Sequence, residues 1–111
     1  YIDDLNQREE AFLDEAGYEV IDIDGIGHTD NIEIGRETPE TAYRMAKELD
    51  SEDTDGMFIS CTNFRTFEII ESLEADIGKP VVTSNQATLW NILNKLDISP
   101  INSLGRLIQP E

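Results

Sequence analysis

Apolar residues return along this chain in helical and in strand rhythms, and each rhythm predicts an element. Over residues 2–16, Leu5, Phe12, Leu13 and Ala16 recur at roughly helical spacing among charged neighbours, with Gly17 as a stop just past the end. Residues 18–23, Tyr-Glu-Val-Ile-Asp-Ile, are rich in strand formers and predict a strand. Residues 25–37 carry Gly25, Gly27 and Gly35 with His28, Asp30 and Asn31, and read as a loop. A second helix starts with Thr38 as N-cap and Pro39 in its first turn, and its apolar face is Ala42, Met45, Ala46 and Leu49. After an acidic loop ending at Gly56, Met57–Cys61 is an unbroken apolar run, the pattern of a strand covered on both faces.

A third helix is predicted almost at once, with Phe64, Phe67, Ile70, Leu73 and Ile77 spaced by three or four and Gly78 at its end. Pro80–Thr83 reads as another buried strand. Ser84 or Asn85 caps a fourth helix carrying Ala87, Leu89, Trp90, Leu93 and Leu96, and Trp90 and the Phe64–Phe67 stripe read as core. Residues 98–111, with Pro100, Gly105 and Pro110, read as a tail. A helix followed by strand–helix units implies an α/β fold, with a short parallel sheet between helical layers in a three-layer αβα arrangement of flavodoxin-like form. The first helix has no strand before it, so a first strand is expected upstream of Tyr1. A start at Tyr1 rather than Met also reads as a fragment.

Charge changes the picture of the surface. Acids number 24 against 8 bases, a net charge of −16, and the acids are scattered over several predicted faces. Self-repulsion at that density disfavours a compact state in dilute salt, and concentrated salt screens it. The pattern reads as a halophilic surface from a salt-loaded cytoplasm, with an acidic patch for a basic partner as the competing reading. Nucleic-acid binding is disfavoured, because phosphate contacts need basic groups. The single cysteine excludes an internal disulfide framework. Without an apolar run of about 18 residues the chain is expected to be cytoplasmic and not membrane-bound.

Ligands of open parallel sheets sit beyond the carboxyl ends of the strands. That rule selects Gly25–Arg36, Cys61-Thr62-Asn63 and Ser84-Asn85-Gln86. Cys61 stands out: at a strand tip and the start of the predicted third helix, its thiolate would be favoured by the helix N-terminus and could exchange a proton beside a carboxylate or add to a double bond. A small buried hydrophobe is the competing reading. Thr62 and Asn63 offer a hydroxyl, an amide and backbone N–H groups for a carboxylate, against plain helix capping. Ser84, Asn85 and Gln86 carry the same ambiguity. Asn31 and His28 read on position alone as turn and loop residues. Arg36 and Arg65 suit surface ion pairs better than a substrate carboxylate. No GxGxxG, P-loop or metal-ligand cluster is present, so any chemistry comes from side chains, without a cofactor.

Ser60-Cys61-Thr62-Asn63-Phe64-Arg65-Thr66 resembles the aspartate/glutamate racemase superfamily, within it the branch of maleate cis–trans isomerase and arylmalonate decarboxylase. Gly78–Trp90, Tyr1–Glu9, Ile34-Gly35-Arg36 and Gly105-Arg106-Leu107 are similar to the same branch. The resemblance implies two similar α/β domains that each supply a thiol, or a replacement for one, to a shared cleft, with this chain as the C-terminal half. It implies that Cys61 handles a proton, that Tyr1 helps to bind or protonate substrate, and that Asn31, Thr62 and Asn63 hold a carboxylate. The expected function is a cofactor-independent isomerase or racemase of a small mono- or dicarboxylate, inactive as an isolated domain. The alternatives are an arylmalonate-type decarboxylase with Cys61 as proton donor and a non-catalytic carboxylate-binding domain. The expected partners are a small carboxylate substrate and the missing N-terminal domain of the same protein, with a homo-oligomer left open.

Overall fold

The computed structural model describes residues 3–25, 27 and 31–110, leaving aside the side chain of Asn31. Helix α1 (Asp3–Glu15) opens on Asp3 and Asp4, whose charges complement the positive end of the helix. It stops where predicted. Gly17, at φ +97°, lets the N–H groups of Gly17 and Tyr18 turn back to Asp14 O (3.1 Å) and Leu13 O (3.0 Å), satisfying carbonyls the helix leaves unpaired. Its apolar face is not the predicted one: Phe12 is exposed, and Asn6 is the buried residue.

The predicted strand at 18–23 is absent. Ile23 N–H bonds to Asp22 Oδ1 (2.9 Å) and Gly25 N–H to Asp24 Oδ1 (2.8 Å), so side chains next door take donors that a sheet ladder would use. The loop expected at 25–37 contains a short helix, α2 (Asn31–Arg36), anchored by buried Ile34. Helix α3 (Pro39–Leu49) follows as expected and buries Ala42 and Ala46, although Thr38 makes no side-chain cap. Beyond α3, Lys79 Nζ gathers Asp50 Oδ1 (2.5 Å), Ser51 O (2.5 Å) and Thr54 Oγ1 (2.9 Å). This ties the acidic loop to the start of the last strand. The hydrogen bond from Lys79 holds the Asp50 carboxyl below the usual carboxylate range.

The sheet has two parallel strands, β1 (Met57–Ile59) and β2 (Val81–Thr83), in the register Met57↔Val81 and Ile59↔Thr83. Strand β1 is shorter than predicted and is not covered on both faces, since Phe58 is 48% exposed. The third helix is also delayed. Residues 61–66 turn, a single 3-10 turn spans Phe67–Ile69, and α4 runs only over Ile70–Ile77. Phe64 is buried as expected, but Phe67 and Trp90 (43% exposed) are not core. Helix α5 (Ser84–Lys95) starts directly from β2 and is capped by Thr83, not by Ser84 or Asn85. Thr83 Oγ1 accepts from Gln86 N–H (3.1 Å), and Gln86 Oε1 accepts from Thr83 N–H (3.1 Å).

One core lies on the sheet face that carries Ile59 and Cys61. Ala42 and Ala46 of α3, Leu73 of α4, Ile34, Phe64 and Val81 close over it. Helix α1 touches the opposite face, where Ser60 Oγ donates to Glu9 Oε1 (2.8 Å). The C-terminal residues are not a loose tail. Leu104 and Ile108 form a bridge, Arg106 N–H donates to Glu74 Oε1 (2.9 Å), and the fully buried Gln86 donates to Leu104 O (2.7 Å). Glu74 Oε2 also accepts from Val81 N–H (2.9 Å), so one buried carboxylate joins α4, β2 and the C-terminal segment. Among the described residues no helix is long and apolar enough to cross a membrane.

The net charge of −16 on so small a core makes folding salt-dependent. Raising KCl from about 0.1 M to about 2 M shrinks the Debye length from ~10 Å to below ~3 Å and should raise the thermal midpoint by roughly 10 °C. Circular-dichroism melts check this, and a midpoint indifferent to salt refutes it.

Candidate active site

Cys61 sits two residues past the last ladder residue of β1. Its φ of 107° lies in the left-handed region that L-residues avoid, a conformation costing about 1–3 kcal/mol unless the surroundings enforce it. Here they do. Cys61 N–H donates to Ser84 Oγ at 3.0 Å, Phe64 N–H returns to Cys61 O at 3.2 Å, and Asn85 Nδ2 donates to Thr62 O at 3.0 Å. The turn after β1 is therefore clamped by the first two residues of α5. The sequence placed a helix N-terminus beside Cys61, and one is there, but it belongs to α5 across the sheet and not to the helix that follows in the chain. The positive end of its dipole favours an anion at this spot.

Cys61 is 8% exposed, within the core cluster, and also lines a cleft of about 830 Å³. That cleft runs between the segment Tyr18–Gly25 and β1, with α1 along it through Asn6, Glu9 and Leu13. Cys61 lines it at the carboxyl tip of the strand, the end where the sheet rule puts a ligand, whereas Thr62, Asn63, Ser84 and Asn85 are not among its lining residues.

The other expected site residues fall as follows. Thr62 and Asn63 are exposed in the turn directly after Cys61. Asn31 is the first residue of α2, one turn before Ile34, and Ile34 packs in the same cluster as Cys61. Gly35 of α2 lies against the backbone of Asn63, its Cβ position 3.9 Å from Asn63 O, so α2 and the cysteine turn are neighbours. Tyr1 and His28 lie outside the described residues. Arg65 pairs with Glu68 at 3.1 Å on the surface, as expected for an acidic protein. Thr66, in the same turn, is buried, and its hydroxyl has no partner among the described residues. The sequence offers Ser84 and Asn85 as carboxylate-cradle or helix-capping residues. Their bonds to the cysteine turn cross from one βα unit to the next, which no local pattern announces.

Comparison with known proteins finds relatives among maleate isomerases and arylmalonate decarboxylases. A maleate isomerase of Pseudomonas putida is 30% identical over 102 residues, covering 91% of this chain and 41% of that protein. An arylmalonate decarboxylase of Bordetella bronchiseptica is 31% identical over 93 residues, covering 82% and 39%. Among solved structures, a cysteine-to-serine mutant of Nocardia farcinica maleate cis–trans isomerase, holding a covalently bound succinylcysteine intermediate, superposes with a TM-score of 0.88 at 28% identity over 96% of this chain and 44% of that one. The chain thus spans less than half the length of these relatives. The family model for arylmalonate decarboxylase matches residues 1–108, and the chain belongs to that family.

Proposed function

We propose that this chain is the C-terminal half of a two-domain enzyme that isomerises or racemises a small mono- or dicarboxylate, using Cys61 and no metal or organic cofactor. The observation that carries the reading is the conformation of Cys61: a strained residue at a strand tip, on the wall of a cleft and clamped from α5. Strain of this kind persists where the surroundings over-determine it, and it concentrates at sites of chemistry.

The chemistry follows from the neighbourhood. A substrate carboxylate rests against the turn Thr62–Asn63 and the N-terminus of α5, with Asn31 on the α2 side. The thiolate of Cys61 then reaches the carbon beside that carboxylate. With an unsaturated diacid the sulfur adds to one alkene carbon, and the electron pair passes to the neighbouring carbon and its carboxylate. The former double bond rotates, and the thiolate leaves as the double bond re-forms. With a saturated acid the same sulfur removes or returns the α-proton. The succinylcysteine in the Nocardia isomerase supports the addition route by likeness. Tyr1 is proposed as a second group at the substrate.

The family match and the Bordetella relative favour a second reading, decarboxylation of a substituted malonate with Cys61 protonating the resulting carbanion. Offering the intact protein maleate and phenylmalonate separates the two. Fumarate formed without CO₂ supports isomerisation, and CO₂ release from phenylmalonate supports decarboxylation. No turnover of these or of a chiral small carboxylate in heavy water overturns both.

Ser84→Ala removes the acceptor of the Cys61 N–H. It should lower kcat roughly 10–100-fold with little change in KM, because the thiol is displaced while the carboxylate cradle remains. Steady-state kinetics on the intact protein check this, with Ser84→Thr expected to recover part of the rate. A kcat equal to wild type refutes the positioning role.

A further inference from the structure

We propose that Gln86 is a positioning residue for Cys61: its buried amide ties the start of α5 to the C-terminal segment and so fixes where Ser84 Oγ meets the Cys61 N–H. The proposal rests on the reading of Cys61 as the reacting thiol.

Gln86 is fully buried, and both polar atoms of its side chain have partners. Its Oε1 accepts from Thr83 N–H at 3.1 Å, and its own N–H donates to Thr83 Oγ1 at 3.1 Å. These two bonds bracket Ser84, the residue after Thr83. The Ser84 carbonyl is held as well, by Thr88 Oγ1 at 2.8 Å. Ser84 Oγ is thereby placed to take the Cys61 N–H at 3.0 Å. A capping box alone would be served by glutamate or glutamine at this position. A second task selects the amide: Nε2 donates to Leu104 O at 2.7 Å, which an ionised carboxylate cannot do.

The anchor at the far end is itself tied down. Leu104 N–H donates to Ile108 O at 2.8 Å and Gln109 Nε2 to Gly105 O at 2.6 Å, closing a small loop. Arg106 N–H binds Glu74 Oε1, and Glu74 Oε2 takes the Val81 N–H. The C-terminal loop therefore holds β2 at both ends, at Val81 through Glu74 and at Thr83 through Gln86. Gly105 leaves the amide no slack, since a Cβ there would lie 2.8 Å from Gln86 Nε2. Displacing that amide moves the first turn of α5, and with it the hydroxyl that holds the strained Cys61 backbone. A misplacement of about 1 Å at a reacting atom costs up to about 10²-fold in rate.

Gln86→Met, similar in length but without donor or acceptor, tests this in the intact protein at about 2 M KCl, where the net charge is screened. Amide exchange is read first, without substrate. The expected result is a Cys61 amide exchanging at least about 10-fold faster than in wild type, while Met57, paired to Pro80 O at the start of β1, changes by less than about 3-fold. In turnover, kcat should fall about 10-fold or more with KM held within about 3-fold. Adding Gln86→Met to Ser84→Ala should lower kcat no further than Ser84→Ala alone, because both act through one contact. Gln86→Glu keeps the acceptor for Thr83 N–H and loses the donor to Leu104 O, and it is held to the same criteria if the methionine variant does not fold. Unchanged exchange at Cys61, or equal acceleration of Cys61 and Met57, overturns the proposal and leaves Gln86 a support of stability alone. A double variant whose losses multiply overturns it too, since Gln86 then acts elsewhere than through Ser84. A wild-type protein that converts no carboxylate sinks the assigned reaction instead, and the exchange at Cys61 still judges the hold on that residue.

Discussion

Cys61→Ala in the intact protein is expected to cut turnover by about 10³-fold or more on whichever carboxylate it converts, with the fold retained. The loss is large because a thiolate that forms a covalent bond or carries the proton has no substitute in its turn. Proton transfer alone is worth roughly 10²–10⁴-fold. The neighbours on that turn, Thr62 and Asn63, offer no comparable nucleophile. Stability should change by only about 1–2 kcal/mol, the cost of removing one buried sulfur from the cluster around Ile34 and Phe64. Cys61→Gly is the informative companion. Glycine adopts φ near 107° without a Cβ penalty, so it should be as inactive as alanine while recovering about 1 kcal/mol of stability. Turnover and chemical denaturation of both variants decide the matter. Activity within 10-fold of wild type in either removes Cys61 from the chemistry. Equal stability of the two shows that the turn is not strained.

Gly105→Ala is expected to be the most damaging small substitution outside the site. Gly105 has φ +71°, and a Cβ there would lie 2.6 Å from Ile70 Cγ2, 2.8 Å from Gln86 Nε2 and 3.0 Å from Glu74 Oε1. Ile70 and Gln86 are fully buried and Glu74 nearly so, so none of the three has room to retreat. Left-handed backbone costs alanine about 1 kcal/mol, and overpacking adds about 1–3 kcal/mol. A total near 3 kcal/mol corresponds to a fall of roughly 15 °C in the thermal midpoint. Gly17→Ala is the control. Its φ is +97°, but a Cβ would meet nothing within 4 Å, so backbone strain acts alone, at about 1 kcal/mol. If the two variants melt together, the C-terminal segment does not dock against Glu74 and Gln86 as described.

Helix existence was readable wherever apolar periodicity coincided with a stop or start signal. Pro39 with Ala42 and Ala46 predicted α3, and Gly17 and Gly78 marked the ends of α1 and α4. Both paired strands were readable as short apolar runs. The prediction failed where periodicity was right but the partner was elsewhere. Phe64, Phe67 and Ile70 keep helical spacing, yet residues 61–66 turn, because the backbone after Cys61 is drawn to Ser84 and Asn85. Tyr18–Ile23 has a strand's composition, but it pairs with no strand, and Asp22 takes the Ile23 N–H.

The residues alone thus determined the alternation of helix and strand, the acidic surface and the choice of Cys61 as the atom to watch, because propensity, charge and thiol chemistry are properties of single residues and near neighbours. Only the tertiary structure decided that Cys61 is held at φ 107° by the start of α5, that Gln86 and Glu74 bind the C-terminal segment, and that Cys61 shares a cleft with Tyr18–Gly25. Those features join residues some 18 to 40 positions apart. Their energies depend on which groups the packed chain brings within hydrogen-bonding distance, a quantity that no local pattern carries.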